Sequence, residues 1–570
     1  MRILFLDSED DPQSGPWSAM VWDQVIDLGI AGPRTRANWE SYFKCQVTDL
    51  GFARTPSGQV RDALAAGLGR LLDEHGIDWW EVLGIQYVRQ IFRIIALQKF
   101  AASISGRDEV FVSRGGFDFL VLQKLLGRRI SCFSRGAQIP QKFRRFYRRS
   151  CRLSYSQIKQ ISWDKYDSQH RLRALLSPRR ARCRTPIILL PTAYLNVTRM
   201  ALSYAETLLD SKFLLVAGRS SGWAKTLPVN VDQSDLSSYL SPKFDCAEHS
   251  GLLARWNELR IQFRSHPVLH ALLQSGIADS FGHALKKWMI VRDAWINVFE
   301  TEPVDGVLSC DDVNPYTHIP GLLAKRKGIP WTSSHHGAFD GHHLVRESRA
   351  DIVLAKGNME RDYLVKNCGI SKDRVAVGAP NRPAPDQTRH EKSSIVFFSE
   401  DYEVSGARVG DFYRDVLPSL VRLAEQNAKL LVLKLHPAES LRDRRRILNE
   451  VLSREEQCRV RIVEGPITEQ MMSDIWFACT VISTTALDCA IMGIPVFLCG
   501  WLENWPFGYM NQFVAFRVGV KLSSPEEITQ IPRLLEQFEP CNPRNIWQPI
   551  CPDALSEILS KRTATFVQVA

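Results

Sequence analysis

The sequence has no closely spaced cysteines. Its 13 Cys are spread so that no two lie closer than ten residues apart, and no CxxC pair exists. That excludes zinc ribbons, zinc fingers and thioredoxin-type motifs. An odd count without framework spacing suits a reducing cytoplasm. The chain also lacks an apolar run that reads as a membrane span. The opening MRILFLD is too short for a signal peptide. The stretch 476–501 carries one charge, Asp488, but Ser483-Thr484-Thr485 and Gly493-Ile494-Pro495 interrupt it. A strand, a helix and a second buried strand explain it better than one transmembrane helix. No internal repeat stands out.

What remains is ordinary globular composition. The 570 residues are 45% hydrophobic and 24% charged, with 34 Gly and 29 Pro. Fibrous and largely disordered chains are thereby excluded. Lys plus Arg is 72 against 62 for Asp plus Glu, a net charge of +10. The excess favours anionic partners without choosing among nucleotides, nucleic acid and lipid headgroups.

Short apolar runs alternate with helix-period segments. The candidate strands are 2–6, 109–113, 129–133, 186–190, 213–217, 306–309, 331–334 and 352–355, then 394–399, 429–435, 460–463, 479–482 and 495–499. Strands alternating with helices read as βαβ units in parallel sheets. The proline-rich segment 378–387 suits an interdomain linker. The expected domains are therefore 1–385, with helical insertions near 60–105 and 250–300, then 386–540. A tail at 541–570 shows no clear core signal.

Three segments can carry chemistry. In the first, Val481-Ile-Ser-Thr-Thr-Ala-Leu-Asp488, a buried strand is expected to end at Ser483 and a helix to open at once. Ser483, Thr484 and Thr485 offer hydroxyls beside unpaired helix amides, a ready phosphate site; Asp488 lies one turn in. A plain N-cap without ligand fits that segment equally well. In the second, Lys429-Leu-Leu-Val-Leu-Lys-Leu-His-Pro437, a strand is expected to end at His436. That puts an imidazole at the carboxyl edge of the sheet, where open α/β sheets bind ligands; taken alone, a structural histidine is the commoner account. In the third, 306–316, Asp311 and Asp312 follow one strand, and His335-His336-Gly337 end the next. Two strand ends would then bring carboxylates and imidazoles together, a potential general base. An Asx-turn with packed histidines is the rival account.

A His-Pro after a strand, then a Ser/Thr cluster opening a helix that ends in Gly493-Ile-Pro-Val496, resembles the nucleotide-binding half of two-Rossmann (GT-B) glycosyltransferases. It is similar to the branch with bacterial capsule sialyltransferases, Kdo transferases and teichoic acid glycerophosphate polymerases. The resemblance covers roughly 300–500. It implies an α/β fold of two Rossmann-like domains facing a cleft. It implies that His436, Ser483, Thr484 and Thr485 hold the phosphate of a CMP- or CDP-linked donor. It also implies that His335 or His336 is the base, with Asp311 and Asp312 next in line. The expected function is sugar transfer from a nucleotide sugar, as substrate and not cofactor, to a hydroxyl of a surface polysaccharide or lipid-linked glycan acceptor. A UDP-sugar 2-epimerase and a non-catalytic nucleotide-binding assembly factor are the alternatives.

No aspartate-rich metal motif accompanies these residues, and no required metal is expected. His335, His336, His342 and His343 fall close together, but neighbouring strand residues point to opposite faces, which argues against a shared ion. The segment Ser399-Glu-Asp-Tyr-Glu403 follows the first strand of the second domain and reads as a solvated acidic turn, with a cleft-facing loop that touches donor or acceptor as the other reading; Pro191–Asn196 reads as a loop on the acceptor side. In 141–150, Phe143, Phe146 and Tyr147 share one helical face and Arg144, Arg145, Arg148 and Arg149 the other. That pattern suits either docking on its own domain or an anionic membrane surface. No nucleic-acid-binding motif accompanies the charge. The expected location is cytoplasmic, peripheral on the inner face of the membrane if 141–150 binds lipid.

Overall fold

The structure, a computed structural model, describes residues 1–28 apart from 8–9 and 11–14, residues 46–49, and residues 71–134 apart from 85–87, 116 and 129. It further describes 183–560 apart from 242–243, 263, 265–268, 271–272, 274–280, 312–313, 338–347, 383–391, 401–408, 438 and 504–507. The helical segment expected at 141–150 lies outside the described residues, as do Asp312, His342 and His343.

Runs of branched and aromatic residues build three sheets. The first holds β1 (Arg2–Leu6), β2 (Gln24–Asp27), β3 (Gln46–Asp49), β4 (Glu109–Arg114) and β5 (Ser131–Ser134) in the order β3-β2-β1-β4-β5. The second holds β6 (Ile187–Thr192), β7 (Phe213–Ala217), β8 (Val231–Asp235), β9 (Val304–Ser309), β10 (Trp331–Ser333), β11 (Ile352–Ala355) and β12 (Val375–Val377). Its order is β12-β11-β10-β9-β6-β7-β8. The third holds β13 (Ser394–Phe398), β14 (Leu430–Lys434), β15 (Val460–Val463), β16 (Ile475–Thr480), β17 (Val496–Cys499) and β18 (Val520–Leu522), ordered β15-β14-β13-β16-β17-β18. Their pairings are parallel. Central strands such as FLLVA and SIVFF are buried throughout, as parallel strands covered on both faces require.

The α/β class and parallel sheets match expectation, but there are three sheets where two were expected. Five strands escaped the sequence reading: β2, β3, β8, β12 and β18. Four of these are sheet edges with short or polar sequences, such as VDQSD in β8. The described chain divides into two compact units. One comprises Met1–Val60, Arg89–Gln138 and Ala384–Ile546; the other comprises Arg61–Val88, Ile139–Pro383 and Trp547–Ala570. The sequence expectation put the boundaries at 385 and 540 instead.

Within the second unit, the segment expected to be a tail carries a helix, Pro552–Ser560. Leu555 and Leu559, one turn apart, enter the core with Leu190, Leu308, Leu354 and Tyr204. Three large apolar side chains in nine residues, Leu555, Ile558 and Leu559, are too weak a signal alone; their partners come from elements hundreds of residues earlier. Burying Leu555 and Leu559 contributes about 1.5–3 kcal/mol each.

The helix Pro315–Arg326, which follows β9, starts with the Asn314 side chain accepting from the Tyr316 amide at 3.1 Å and Pro315 at its first position. Its Gly321 lies against the indole of Trp331; a Cβ there would come within 2.2 Å of the ring. That close approach seats the helix on β10. A buried charge cluster ties three further segments: Arg292 donates to Asp73 (2.7 Å), Glu248 (2.6 Å) and Asp293 (2.7 Å). Among the described residues no helix is long and apolar enough to cross a membrane.

Leu559→Ala should therefore lower stability by about 2–5 kcal/mol, by lost burial and the cavity left behind. Urea unfolding of the full chain reads this. A change below about 0.5 kcal/mol would mean the helix is not part of the core.

Candidate functional site

In each sheet the first strand lies in the interior, and the chain winds first to one side and then to the other. In the second sheet the reversal falls between β6 and β9, and in the third between β13 and β16. At such a reversal the connections diverge and leave a crevice at the carboxyl ends of the strands.

In the second unit, three of the side chains at this edge form one hydrogen-bonded group. Tyr194 stands just past β6, at the N-cap of the helix Leu195–Thr207. Its hydroxyl donates to Asp311 Oδ2 at 2.6 Å and lies 3.3 Å from His336 Nε2. The tyrosine and histidine rings meet edge to face at 5.2 Å. His336 Nδ1 is 3.3 Å from the Cys310 carbonyl. A carbonyl only accepts, so Nδ1 carries the proton and the neutral ring turns a bare Nε2 toward Tyr194.

Burial drives the charge states. It lowers the His336 pKa below its usual value against the pull of Asp311, and Lys356 lowers it further. His336 is therefore neutral at pH 7. Burial and Asp311 both push the Tyr194 hydroxyl far up, so it stays protonated and remains a donor. Asp311 is buried.

The paired histidines have different environments. His335 Nδ1 lies 3.1 Å from the Gly337 amide and 3.0 Å from its carbonyl, which holds the ring in the turn. His336 alone of the two contacts Tyr194. The two rings nevertheless lie 4.5 Å apart, not on opposite faces as expected, because β10 ends at Ser333 and strand alternation stops there. Among the described residues no group of three His, Cys, Asp or Glu is placed to hold a metal ion.

Lys356 locks this turn from the end of β11. Its ammonium donates to the carbonyls of His335 and Gly337, both at 2.9 Å, and pairs with Glu360 at 2.6 Å. Lys356 and Glu360 are both buried. Sequence reasoning missed Lys356; its signal was a lone Lys after an apolar strand with Glu four residues on. Tyr194 was placed in a loop but given no role.

In the first unit, β14 ends at Lys434, two residues earlier than expected, and His436 is exposed beyond it. The turn is held by Glu439, whose side chain is buried. It accepts from the His436 amide (2.7 Å), from Ser399 Oγ (2.8 Å) and from Arg444 Nε (2.7 Å). β16 ends at Thr480 and the helix Thr485–Ile491 spans only 7 residues, so strand and helix do not abut at Ser483 as expected. Thr484 caps that helix without a side-chain bond. Thr485 Oγ1 donates to Ser483 Oγ at 2.9 Å. Asp488 sits partly buried on the first turn.

The Ser399–Glu400 corner is not a solvated turn. Ser399 is buried, and Glu400 Oε1 accepts from Thr480 Oγ1 (2.9 Å), Val481 N (3.2 Å) and Ile482 N (2.8 Å). The amides of Val481 and Ile482, just ahead of the expected Ser483–Thr485 site, are thus occupied by the chain's own carboxylate. Asp401, Tyr402 and Glu403 lie outside the described residues.

No protein-family model and no curated protein sequence matches the chain. Solved structures do show likeness. The chain is similar to Staphylococcus aureus MnaA solved with UDP, at 14% identity and TM-score 0.38, covering 66% of this chain and 94% of that one. It is similar to the UDP-GlcNAc 2-epimerase of Methanocaldococcus jannaschii, at 9% identity and TM-score 0.41, covering 66% and 99%. It is also similar to the wall teichoic acid polymerase TagF, at 10% identity and TM-score 0.35, covering 74% and 93%. Likeness this shallow assigns no activity.

A neutral, half-buried His336 binds its proton more weakly than in the unfolded chain. The folded state then holds fewer protons between the lowered pKa and the usual 6.5, so stability rises with pH in that window. Wild type should lose stability relative to His336→Gln as pH falls below about 6.5. Parallel urea curves at pH 5 to 8 check this. Equal pH dependence in both proteins would show that His336 is not held neutral.

Proposed function

We propose that the chain transfers a sugar from a nucleotide-sugar donor to a hydroxyl of a glycan acceptor. The surface-polysaccharide or lipid-linked character of that acceptor is part of the same reading, as is a location at the inner face of the membrane. The observation that carries it is the Asp311–Tyr194–His336 group at the strand-order reversal of the second sheet. Nε2 of neutral His336 takes the acceptor's hydroxyl proton as its oxygen attacks the anomeric carbon. The resulting imidazolium faces the Tyr194 oxygen, whose own proton stays on the tyrosine and is donated to the Asp311 carboxylate. The positive charge is thereby compensated across two hydrogen bonds. The bond from the anomeric carbon to the nucleotide phosphate breaks, and its electron pair leaves with the phosphate. In this reading His436, Ser483, Thr484 and Thr485 of the third sheet offset that developing charge, and Asp488 lies beside them. Asp312 adjoins Asp311 in sequence and stands as its alternate.

The reading is supported by the acid–base character of the first group and by the exposed imidazole at the end of β14. It is tested by incubating the full chain with nucleotide sugars and an acceptor panel, with products resolved by mass. Transfer should fall by about 10²–10⁴-fold in His336→Ala, and Tyr194→Phe should fall less, because it removes the relay and not the base. His335→Ala should retain more activity than His336→Ala. Full activity in His336→Ala would put the base elsewhere. Free epimerised nucleotide sugar in place of an extended acceptor would make the chain an epimerase.

His436→Ala should weaken nucleotide affinity by about tenfold or more, the cost of one hydrogen bond to a charged group, with the fold intact. Calorimetric titration with CDP and UDP reads the change. Equal affinities would remove His436 from the site.

A further inference from the structure

We infer that Glu400 is a ligand-recognition residue whose outer carboxylate oxygen receives a hydroxyl of the bound nucleotide or its sugar, and that no phosphate sits at this strand end. The inference rests on the reading above that the third sheet's carboxyl edge takes the nucleotide, and it specifies how the nucleotide lies there.

Three observations converge. Glu400 stands two residues past β13, at the strand-order reversal beside the end of β16. Its Oε1 is filled by the Thr480 hydroxyl and the amides of Val481 and Ile482, at 2.9, 3.2 and 2.8 Å. These bonds fix the carboxylate plane and occupy the donors of residues 480–482. Among the described residues nothing donates to Oε2, and Glu400 keeps partial exposure. A rigid acceptor is thus held at the edge where ligands bind.

The chemistry of the occupant follows. Phosphate oxygens are acceptors and carry negative charge, so a phosphate here would meet no free strand-end amide and an acidic neighbour. Hydroxyls donate. In a nucleotide sugar the hydroxyls belong to the ribose and to the transferred sugar. The ligand therefore lies with a hydroxyl on Glu400, and its phosphates fall toward Ser483–Thr485 and His436. The spacing permits this: β14 and β16 flank β13, so their ends lie about 10 Å apart, two strand separations.

Glu400→Gln separates recognition from architecture. The amide oxygen of Gln accepts the same three bonds, so the corner stays stitched and the melting temperature should not move. The outer atom changes from acceptor to donor. CDP and UDP, their 2′,3′-dideoxy forms, and UDP-GlcNAc are titrated into wild type and Glu400→Gln. The expected result is at least tenfold weaker binding of the ribonucleotide by Glu400→Gln. The dideoxy form should bind wild type about as weakly, with no further loss in the variant. If the dideoxy form keeps full affinity and only UDP-GlcNAc binding falls in Glu400→Gln, the hydroxyl belongs to the transferred sugar and the inference stands. Unchanged binding of every probe by the variant would make Glu400 purely structural. Tighter binding by the variant would place a phosphate against it. Either overturns the inference while leaving the nucleotide reading intact. Failure of every probe to bind wild type would end both. The dideoxy comparison uses wild type alone, so the question remains decidable if the variant misfolds.

Discussion

The constraint on which the rest depends is that each sheet begins in its interior. β1, β6 and β13 are the first strands of their sheets, and each is flanked on both sides by later ones. Parallel pairing with right-handed crossovers then forces the chain to one side and afterwards to the other. The reversal opens a gap between helix starts at the carboxyl edge. Side chains that leave the strands there cannot be covered by a crossover. Polar groups accumulate at these edges because water or ligand can reach them while the strands beneath stay apolar.

The edges handle their buried charge differently. In the second sheet Lys356 is neutralised by Glu360 and spends its remaining donors on two carbonyls of the 335–337 turn. A buried ion pair adds little net stability, since desolvation offsets attraction, but breaking one partner is costly. Its value here is positional: it fixes the backbone that carries His336. In the third sheet Glu439 plays the corresponding part, joining Arg444, Ser399 and the His436 amide. Each imidazole proposed to act thus sits on a turn that a buried ion pair holds in shape.

Much of this was legible from the amino acids. The central strands read clearly because parallel strands buried on both faces appear as unbroken apolar runs. His336 and Asp311 were named because strand ends collect chemistry, and the structure does join them. Tyr194 was not given a role, since the contact that matters spans more than a hundred residues and a tyrosine after a strand is unremarkable in sequence. The choice between His335 and His336 was equally invisible. It turns on where β10 stops, and a strand of three residues has no sharp hydrophobic boundary. The helix Pro552–Ser560 was lost for the opposite reason: its few apolar residues gain meaning only from distant partners. The expected strand boundaries at His436 and Ser483 ran long because apolar residues continue past the last ladder bond.

The third sheet shows why a helix start after a strand is weak evidence for a phosphate site. Unpaired amides at a strand end can be satisfied by a ligand or by the protein itself. A carboxylate from a neighbouring loop does so at no cost in ligand binding, and Glu400 takes the Val481 and Ile482 amides in this way. The short helix of 7 residues adds only a small dipole beyond them. Affinity for an anion at this edge must then come from other groups. His436 is exposed at the end of β14, and the Thr484 side chain makes no capping bond. The electrostatic pattern is a carboxylate at the centre of the edge with donors to either side. That pattern suits a ligand whose negative charge and hydroxyls are separated along its length, and it disfavours a compact anion such as free phosphate.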